Sequence, residues 1–153
     1  LFGETYPDVD LVALVDFDND SVGTSLKCCH ALGDRLWGVR LDTSNTLVDR
    51  SILPVMQNFK PTGVTPRLVE MTRRALDKHG FNHVKIIVSG GFNPDRIAEF
   101  EKRQVPVDAY GVGSYLMRGV NAFTADIVMR EGKPGAKVGR QYSPNPRLEL
   151  VRL

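Results

Sequence analysis

Polar and apolar positions along most of the chain switch between a strand-like and a helix-like rhythm. Short apolar runs that end in polar or glycine-bearing clusters lie at Asp10–Asp16, Leu36–Asp42, Val84–Gly90 and Val105–Gly113. Such bounded runs predict buried strands. The stretches between them carry helix punctuation. Asp20 or Ser21 caps the first helix and Gly33 stops it, since a short polar side chain satisfies free N–H groups and glycine accepts the turn beyond a helix end. Thr65 and Pro66 open the second helix, with Leu68, Met71 and Ala75 as its apolar stripe and Gly80 as its end. Proline fits there because the first helical N–H has no partner inside the helix. Asn93 and Pro94 repeat that start, and Ile97 and Phe100 anchor a short third helix.

Strand followed by helix, repeated, predicts an α/β domain, and near-continuous apolar strands predict a parallel sheet covered on both faces. A long polar loop, Thr43–Gly63, with Pro54 and Pro61, interrupts the alternation. After Asn121 the texture changes: Phe123–Arg140 reads as two strands around the turn "REGKPG", an antiparallel hairpin belonging to another layer. The expected division is therefore residues 1–120, a partial α/β barrel, and residues 121–153, a hairpin segment packing on a second domain. Four barrel-like strands are fewer than a closed parallel barrel has, and a part-barrel leaves an unpaired edge. The chain opens on "LFGETYPDVD", without methionine and in the manner of a helix tail. The expectation is a piece of a longer protein whose missing strands precede Leu1.

Composition narrows the classes without choosing one. At 153 residues, 42% hydrophobic and 25% charged, the chain has the make-up of a soluble domain with a real core, not of a disordered segment. A net charge of +2, with basic residues spread among acidic ones, argues against nucleic acid as partner. Apolar stretches such as Leu11–Val15 are too short to cross a bilayer, and no signal-like start is present. Cys28 and Cys29 are adjacent on a helix and project in different directions, which suits neither a metal pair nor a disulfide. They are expected as buried or half-buried thiols of a cytoplasmic protein.

The candidate chemistry lies where the strands end, since parallel α/β folds build their sites there. The first strand ends in Asp16, with Asp18 and Asp20 close behind. At least one of these aspartates is a helix cap, and Asp16 is the one placed to reach a Mg²⁺ ion, which favours carboxylate and phosphate oxygens. On the second strand Arg40 and Asp42 are two residues apart and share a face. Two readings stand side by side: a mutual salt bridge at the mouth of the fold, or a guanidinium for a ring or phosphate beside a carboxylate for sugar hydroxyls. The third strand ends in Ser89, Gly90 and Gly91, and the fourth in Gly111, Gly113 and Ser114. Glycines let backbone N–H groups approach an anion, and the helix that follows adds its positive end. His30, His79 and His83 fall on helices or turns away from strand ends and read as surface or cap residues. No Ser/His/Asp set, Cys/His metal set or Walker loop is visible.

The segments "ALVDFDND", "LWGVRLDTS", "GVTPRLVEMTRRAL", "HVKIIVSGGF", "VPVDAYGVGS" and "FTADIVMREGKPGAKVGR" together resemble the nicotinate phosphoribosyltransferase family. The resemblance follows nearly the whole chain in order, and "GVRLDTS" and "DAYGVGS" are its most specific blocks. It implies the C-terminal part of an irregular TIM-like barrel of a type II phosphoribosyltransferase, with a second α/β domain packed on it. It implies the formation of nicotinate mononucleotide and diphosphate from nicotinate and 5-phosphoribosyl 1-diphosphate in NAD salvage. ATP is then a co-substrate, coupled through a phosphorylated histidine, and the working form is a homodimer. Carried onto this sequence, the resemblance gives Arg40 the pyridine carboxylate or the phosphorylated sugar, Asp42 the ribose hydroxyls, and Asp16 a place near Mg²⁺ and diphosphate. Ser89, Gly90, Gly91, Gly111, Gly113 and Ser114 then cradle the ribose 5′-phosphate. The family's phosphorylated histidine lies upstream of the matched region, and nothing in Leu1–Leu153 replaces it, so this chain alone is expected to be inactive. The rival readings are a quinolinate or nicotinamide phosphoribosyltransferase, and a non-catalytic phosphate-binding subunit.

Overall fold

The computed structural model describes residues 2–119 and 126–147. It divides into two compact units, Leu1–Arg118 and Gly119–Leu153. The first opens with a short helix α1 (Phe2–Thr5) and continues as β1 (Leu11–Leu14), α2 (Ser21–Leu32), β2 (Leu36–Leu41), α3 (Pro66–Lys78), β3 (Lys85–Val88), α4 (Pro94–Lys102) and β4 (Ala109–Tyr110). The strands form one parallel sheet in the order β1-β2-β3-β4. Sequential neighbours joined by helices are what the strand–helix alternation requires.

The helix starts follow from their caps. The Asp20 side chain accepts from Gly23 N, Thr65 from Leu68 N and Asn93 from Arg96 N, with Pro66 and Pro94 at the first positions of α3 and α4. On α2 the buried residues are Ser21, Ser25 and Cys29. Their spacing of four places them on one helix face, and small side chains let α2 lie close against the sheet and α3. On α3 the buried face is Leu68, Val69, Thr72 and Leu76, with Met71 packed only partly against the core. The core between helices and sheet holds Val15, Val39, Leu41, Ile86, Val88, Phe92 and Phe100, and the Phe92 and Phe100 rings meet edge-on at 5.0 Å.

Two strand expectations need correction. Within the first unit the sheet is covered on one face, not both. Along β1 exposure alternates, and Val12 and Leu14 remain well exposed, because the described helices of that unit cover only the other side. The fourth strand is also far shorter than Val105–Gly113. Its paired residues are Ala109 and Tyr110, flanked by backbone bonds from Asp108 N to Ile86 O and from Gly111 N to Val88 O, and Pro106 before them has no N–H to donate. Asp108 instead ties the segment down, its carboxylate accepting from Ile86 N at 2.8 Å and pairing with Lys85 at 3.1 Å.

The loop that read as polar is pinned from within. Asp49 is fully buried and accepts hydrogen bonds from Ser21 N at 2.9 Å, Ser21 Oγ at 2.6 Å and Ser51 N at 2.9 Å. Val48 and Thr62 form an antiparallel bridge that closes the loop on itself.

In the second unit Met129–Arg130 (β5) pairs antiparallel with Lys133–Pro134 (β6) around Glu131 and Gly132. The start of the expected hairpin segment, residues 123–125, lies outside the described residues.

Candidate functional site

The sheet register assembles the site. Leu14 pairs with Arg40, Arg40 with Ile87 and Ile87 with Ala109, so these side chains share one face. Two residues further along each strand come Asp16, Asp42, Ser89 and Gly111. The ladder persists there, with Val15 N donating to Arg40 O at 3.2 Å, Ser89 N to Leu41 O at 2.9 Å and Gly111 N to Val88 O at 2.7 Å. Strand periodicity alone therefore brings four separated positions into one polar layer at the carboxyl ends of the strands.

Within that layer Arg40 Nη1 donates to Asp42 Oδ2 at 3.4 Å and to Ser89 Oγ at 3.3 Å. Both bonds are long for charge-assisted contacts. The two side chains keep 40% and 34% of their surface exposed, so the pair is a weak salt bridge in contact with solvent. The salt bridge expected as one of two readings is thus present, in a form that leaves the guanidinium open to a ligand.

The two glycine turns face this pair. Gly90 and Gly91 have φ of +88° and +78°, a left-handed backbone that side chains disfavour. A Cβ on Gly90 would come within 3.1 Å of Asp42 Oδ1, and one on Gly111 within 3.0 Å of the Ser89 Cβ. Gly113 differs: a Cβ there meets nothing within 4 Å. Arg40, Asp42, Ser89, Gly90, Gly91, Gly111, Val112, Gly113 and Ser114 line one open cleft of about 410 Å³. Every site residue singled out at the ends of the second, third and fourth strands lines it, whereas Asp16, Asp18 and Asp20 after the first do not.

Asp16 sits just behind. Burial, with the Asp42 carboxylate nearby, raises its pKa above the usual aspartate value, while Arg40 pulls the other way. Its Oδ1 is buried with no hydrogen-bond partner, an uncompensated acceptor beside the cleft. Asp20 serves as the α2 cap, and Asp18 is exposed.

Arg96 was not among the residues that strand-end reasoning selected. It lies in the first turn of α4, where a cation opposes the helix dipole, and that misplacement is the signal for it. The structure resolves the conflict locally: Arg96 donates to Gly90 O at 2.7 Å and to Val64 O at 2.6 Å, over the Phe92 ring at 4.2 Å.

The remaining candidates lie apart from the cleft. His30 packs edge-on to Phe81 and His79, and His83 also meets Phe81. Cys28 is half-buried and Cys29 buried, both free, and burial raises both thiol pKa values, which makes them poor nucleophiles at neutral pH. Among the described residues no group of three or more His, Cys, Asp or Glu side chains is placed to hold a metal ion, and no helix is long and apolar enough to cross a membrane.

The polar end of this parallel sheet gathers an arginine, a carboxylate and two glycine turns, and comparisons with known proteins point to enzymes of pyridine nucleotides. No family model matches the chain. Two curated relatives are nicotinate phosphoribosyltransferases of Mycobacterium tuberculosis. The enzyme pncB1 (strain CDC 1551 / Oshkosh) is 37% identical over 90 residues, which is 56% of this chain and 20% of that protein. The enzyme pncB2 of the same strain is 32% identical over 69 residues, 45% of this chain and 15% of that protein. The chain thus spans a fifth or less of the length of the curated relatives it matches. A solved structure, the nicotinate-nucleotide pyrophosphorylase of Pyrococcus furiosus, is similar over 90% of this chain and 31% of its own, with a TM-score of 0.57 and 33% identity. The resemblance to nicotinate phosphoribosyltransferases read from the sequence motifs is therefore met again in curated relatives covering about half the chain.

Proposed function

We propose that this chain is the sugar-phosphate-binding part of a nicotinate phosphoribosyltransferase of NAD salvage. The observation that carries the reading is the cleft itself: Arg40, Asp42, Ser89 and both glycine turns converge there, in a chain whose relatives are named for this reaction. The nicotinate ring nitrogen attacks C1 of 5-phosphoribosyl 1-diphosphate. The new bond is N–C1, the C1–oxygen bond breaks, and diphosphate leaves with its electron pair.

Positive charge grows at C1 as that bond lengthens, so catalysis rests on fixing both ends of the sugar and neutralising the departing group. In this reading the turns Ser89–Gly91 and Gly111–Ser114 offer backbone N–H groups to the 5′-phosphate. Asp42 accepts from ribose hydroxyls. Arg40, exchanging its long bonds for shorter ones, binds the pyridine carboxylate or the sugar phosphate. The curated relatives are named for nicotinate itself, which favours it as acceptor over nicotinamide, whereas the solved structure is named for the nucleotide, a product that quinolinate also yields on decarboxylation.

Mg²⁺ fits this site as a partner shared with substrate. Asp16 offers a buried oxygen without a partner, and Mg²⁺ takes one or two carboxylates beside phosphate oxygens. When bound it would screen charge on the leaving diphosphate. The coupling to ATP, the homodimer and the cytoplasmic setting complete the proposal as properties of the longer enzyme. The test is product formation by the full-length gene product from nicotinate, ATP and 5-phosphoribosyl 1-diphosphate, with quinolinate and nicotinamide as competing acceptors. Nicotinate mononucleotide as the preferred product supports the reading. No turnover of any pyridine acceptor sinks it.

A further inference from the structure

Arg96 occupies an unusual place for a cation. It projects from the first turn of α4, where the backbone N–H groups of a helix start carry positive partial charge, and burial lowers its pKa. Charge there has to be matched by acceptors. Its guanidinium finds two, both backbone carbonyls: Gly90 O at 2.7 Å and Val64 O at 2.6 Å. The plane lies over the fully buried Phe92 ring at 4.2 Å, a cation–π contact that fixes its orientation. One rigid fork therefore joins the glycine turn after β3 to the residue that precedes the α3 cap.

The geometry of the peptide unit gives that fork a consequence. The chain has no cis peptide bond among its described residues, so the Gly90 carbonyl and the Gly91 N–H point in opposite directions across one plane. Holding the carbonyl on Arg96 turns the Gly91 N–H away from Arg96. Gly90 and Gly91 both have φ in the left-handed region, where glycine has the freedom to flip its peptide planes. Without a fixed carbonyl, nothing in their own torsional preferences would hold that N–H in one direction.

We infer that Arg96 is a positioning residue which, by holding the Gly90 carbonyl, aims the Gly91 N–H into the cleft as a donor for the phosphate end of a phosphorylated sugar. This inference rests on the functional reading of the cleft and adds to it a residue that does not line the cleft. It also separates the work of Arg96 from that of Arg40: Arg40 meets the ligand directly, whereas Arg96 acts through a backbone plane.

The experiment uses the full-length protein, 5-phosphoribosyl 1-diphosphate and nicotinate in separate titrations, and two variants, Arg96→Ala and Arg96→Lys. Loss of one aimed donor is expected to weaken binding of the phosphoribosyl compound about tenfold in Arg96→Ala, with nicotinate affinity unchanged. Lysine keeps the charge but lacks the planar fork that spans both carbonyls and stacks on Phe92, and should fall between. Methylguanidinium added to Arg96→Ala should restore most of the lost affinity, while ammonium at equal ionic strength should not. A role confined to stability would lower the melting temperature and the folded fraction but leave the affinity of folded protein unchanged. If Arg96→Ala does not fold, Arg96→Lys carries the test. Wild-type affinity in whichever variant folds overturns the inference and leaves the cleft reading intact. Failure of the unaltered protein to bind 5-phosphoribosyl 1-diphosphate overturns the cleft reading, and this inference with it.

Discussion

Arg40 and Ser89 lie 49 residues apart in the chain, yet Arg40 Nη1 donates to Ser89 Oγ at 3.3 Å across β2 and β3. The link is long and half-exposed, and Asp42 shares the same nitrogen at 3.4 Å. Weak bonds of this kind hold a guanidinium in place without satisfying it. Replacing Arg40 should therefore disturb binding far more than folding. Arg40→Ala is expected to change stability by less than about 1 kcal/mol. It should weaken 5-phosphoribosyl 1-diphosphate or nicotinate by about 10- to 100-fold. Urea unfolding and separate titrations with the two substrates check both halves. Unchanged affinity for both would remove Arg40 from the site.

The glycines divide into those the backbone requires and one it does not. Gly90→Ala places a Cβ at positive φ and 3.1 Å from Asp42 Oδ1, and should cost about 1–2 kcal/mol and most of the phosphate affinity. Gly113→Ala meets open space and should change stability by less than about 0.5 kcal/mol. Any loss of affinity in Gly113→Ala would then report on a ligand crowded by the methyl group. Thermal melts paired with titrations separate the two cases.

Asp16 predicts a pH dependence with a definite sign. Burial and the Asp42 carboxylate raise its pKa in the folded protein above the ordinary 3.8. The folded state thus holds this proton more tightly than the unfolded chain, and the ionised carboxylate weakens folding as pH rises above 3.8 through the raised value. Asp16→Asn should melt at a higher temperature than the unaltered protein at pH 7, and the difference should close as pH falls below 3.8. Mg²⁺ with 5-phosphoribosyl 1-diphosphate should stabilise the unaltered protein more than the variant. A variant less stable at pH 7 would contradict this account of Asp16.

Asp49 carries structure, not chemistry. Its carboxylate accepts from Ser21 N, Ser21 Oγ and Ser51 N in a fully buried position. Asp49→Ala strands these donors and is expected to cost about 2–4 kcal/mol, read from urea unfolding. Asp49→Asn keeps an acceptor and should cost less.

The contrast between Asp42 and Asp49 shows what the sequence made legible. Asp42 follows Arg40 on an apolar strand, so its face and its place at the strand end come directly from a period of two. The caps at Asp20, Thr65 and Asn93 are equally local, and all three side chains accept the expected N–H groups. Asp49 lies in a stretch without period, and its burial depends on Ser21, 28 residues away. No local rule reveals that pairing. Arg96 is intermediate: its position on α4 was readable, but its acceptors at Gly90 and Val64 arise only once β3 and the α3 entry are adjacent. The covered-face expectation failed for a similar reason. Apolar runs report that a strand prefers to be buried, and Val12 and Leu14 show that the described elements of the first unit do not supply the cover.

A crystal structure of the full-length protein with nicotinate mononucleotide tests the central claim most directly. The 5′-phosphate is expected between the two glycine turns, its oxygens within about 3 Å of the Gly91 and Gly113 N–H groups, with Asp42 on the ribose. A phosphate bound elsewhere, with Arg40 still joined only to Asp42 and Ser89, would contradict it.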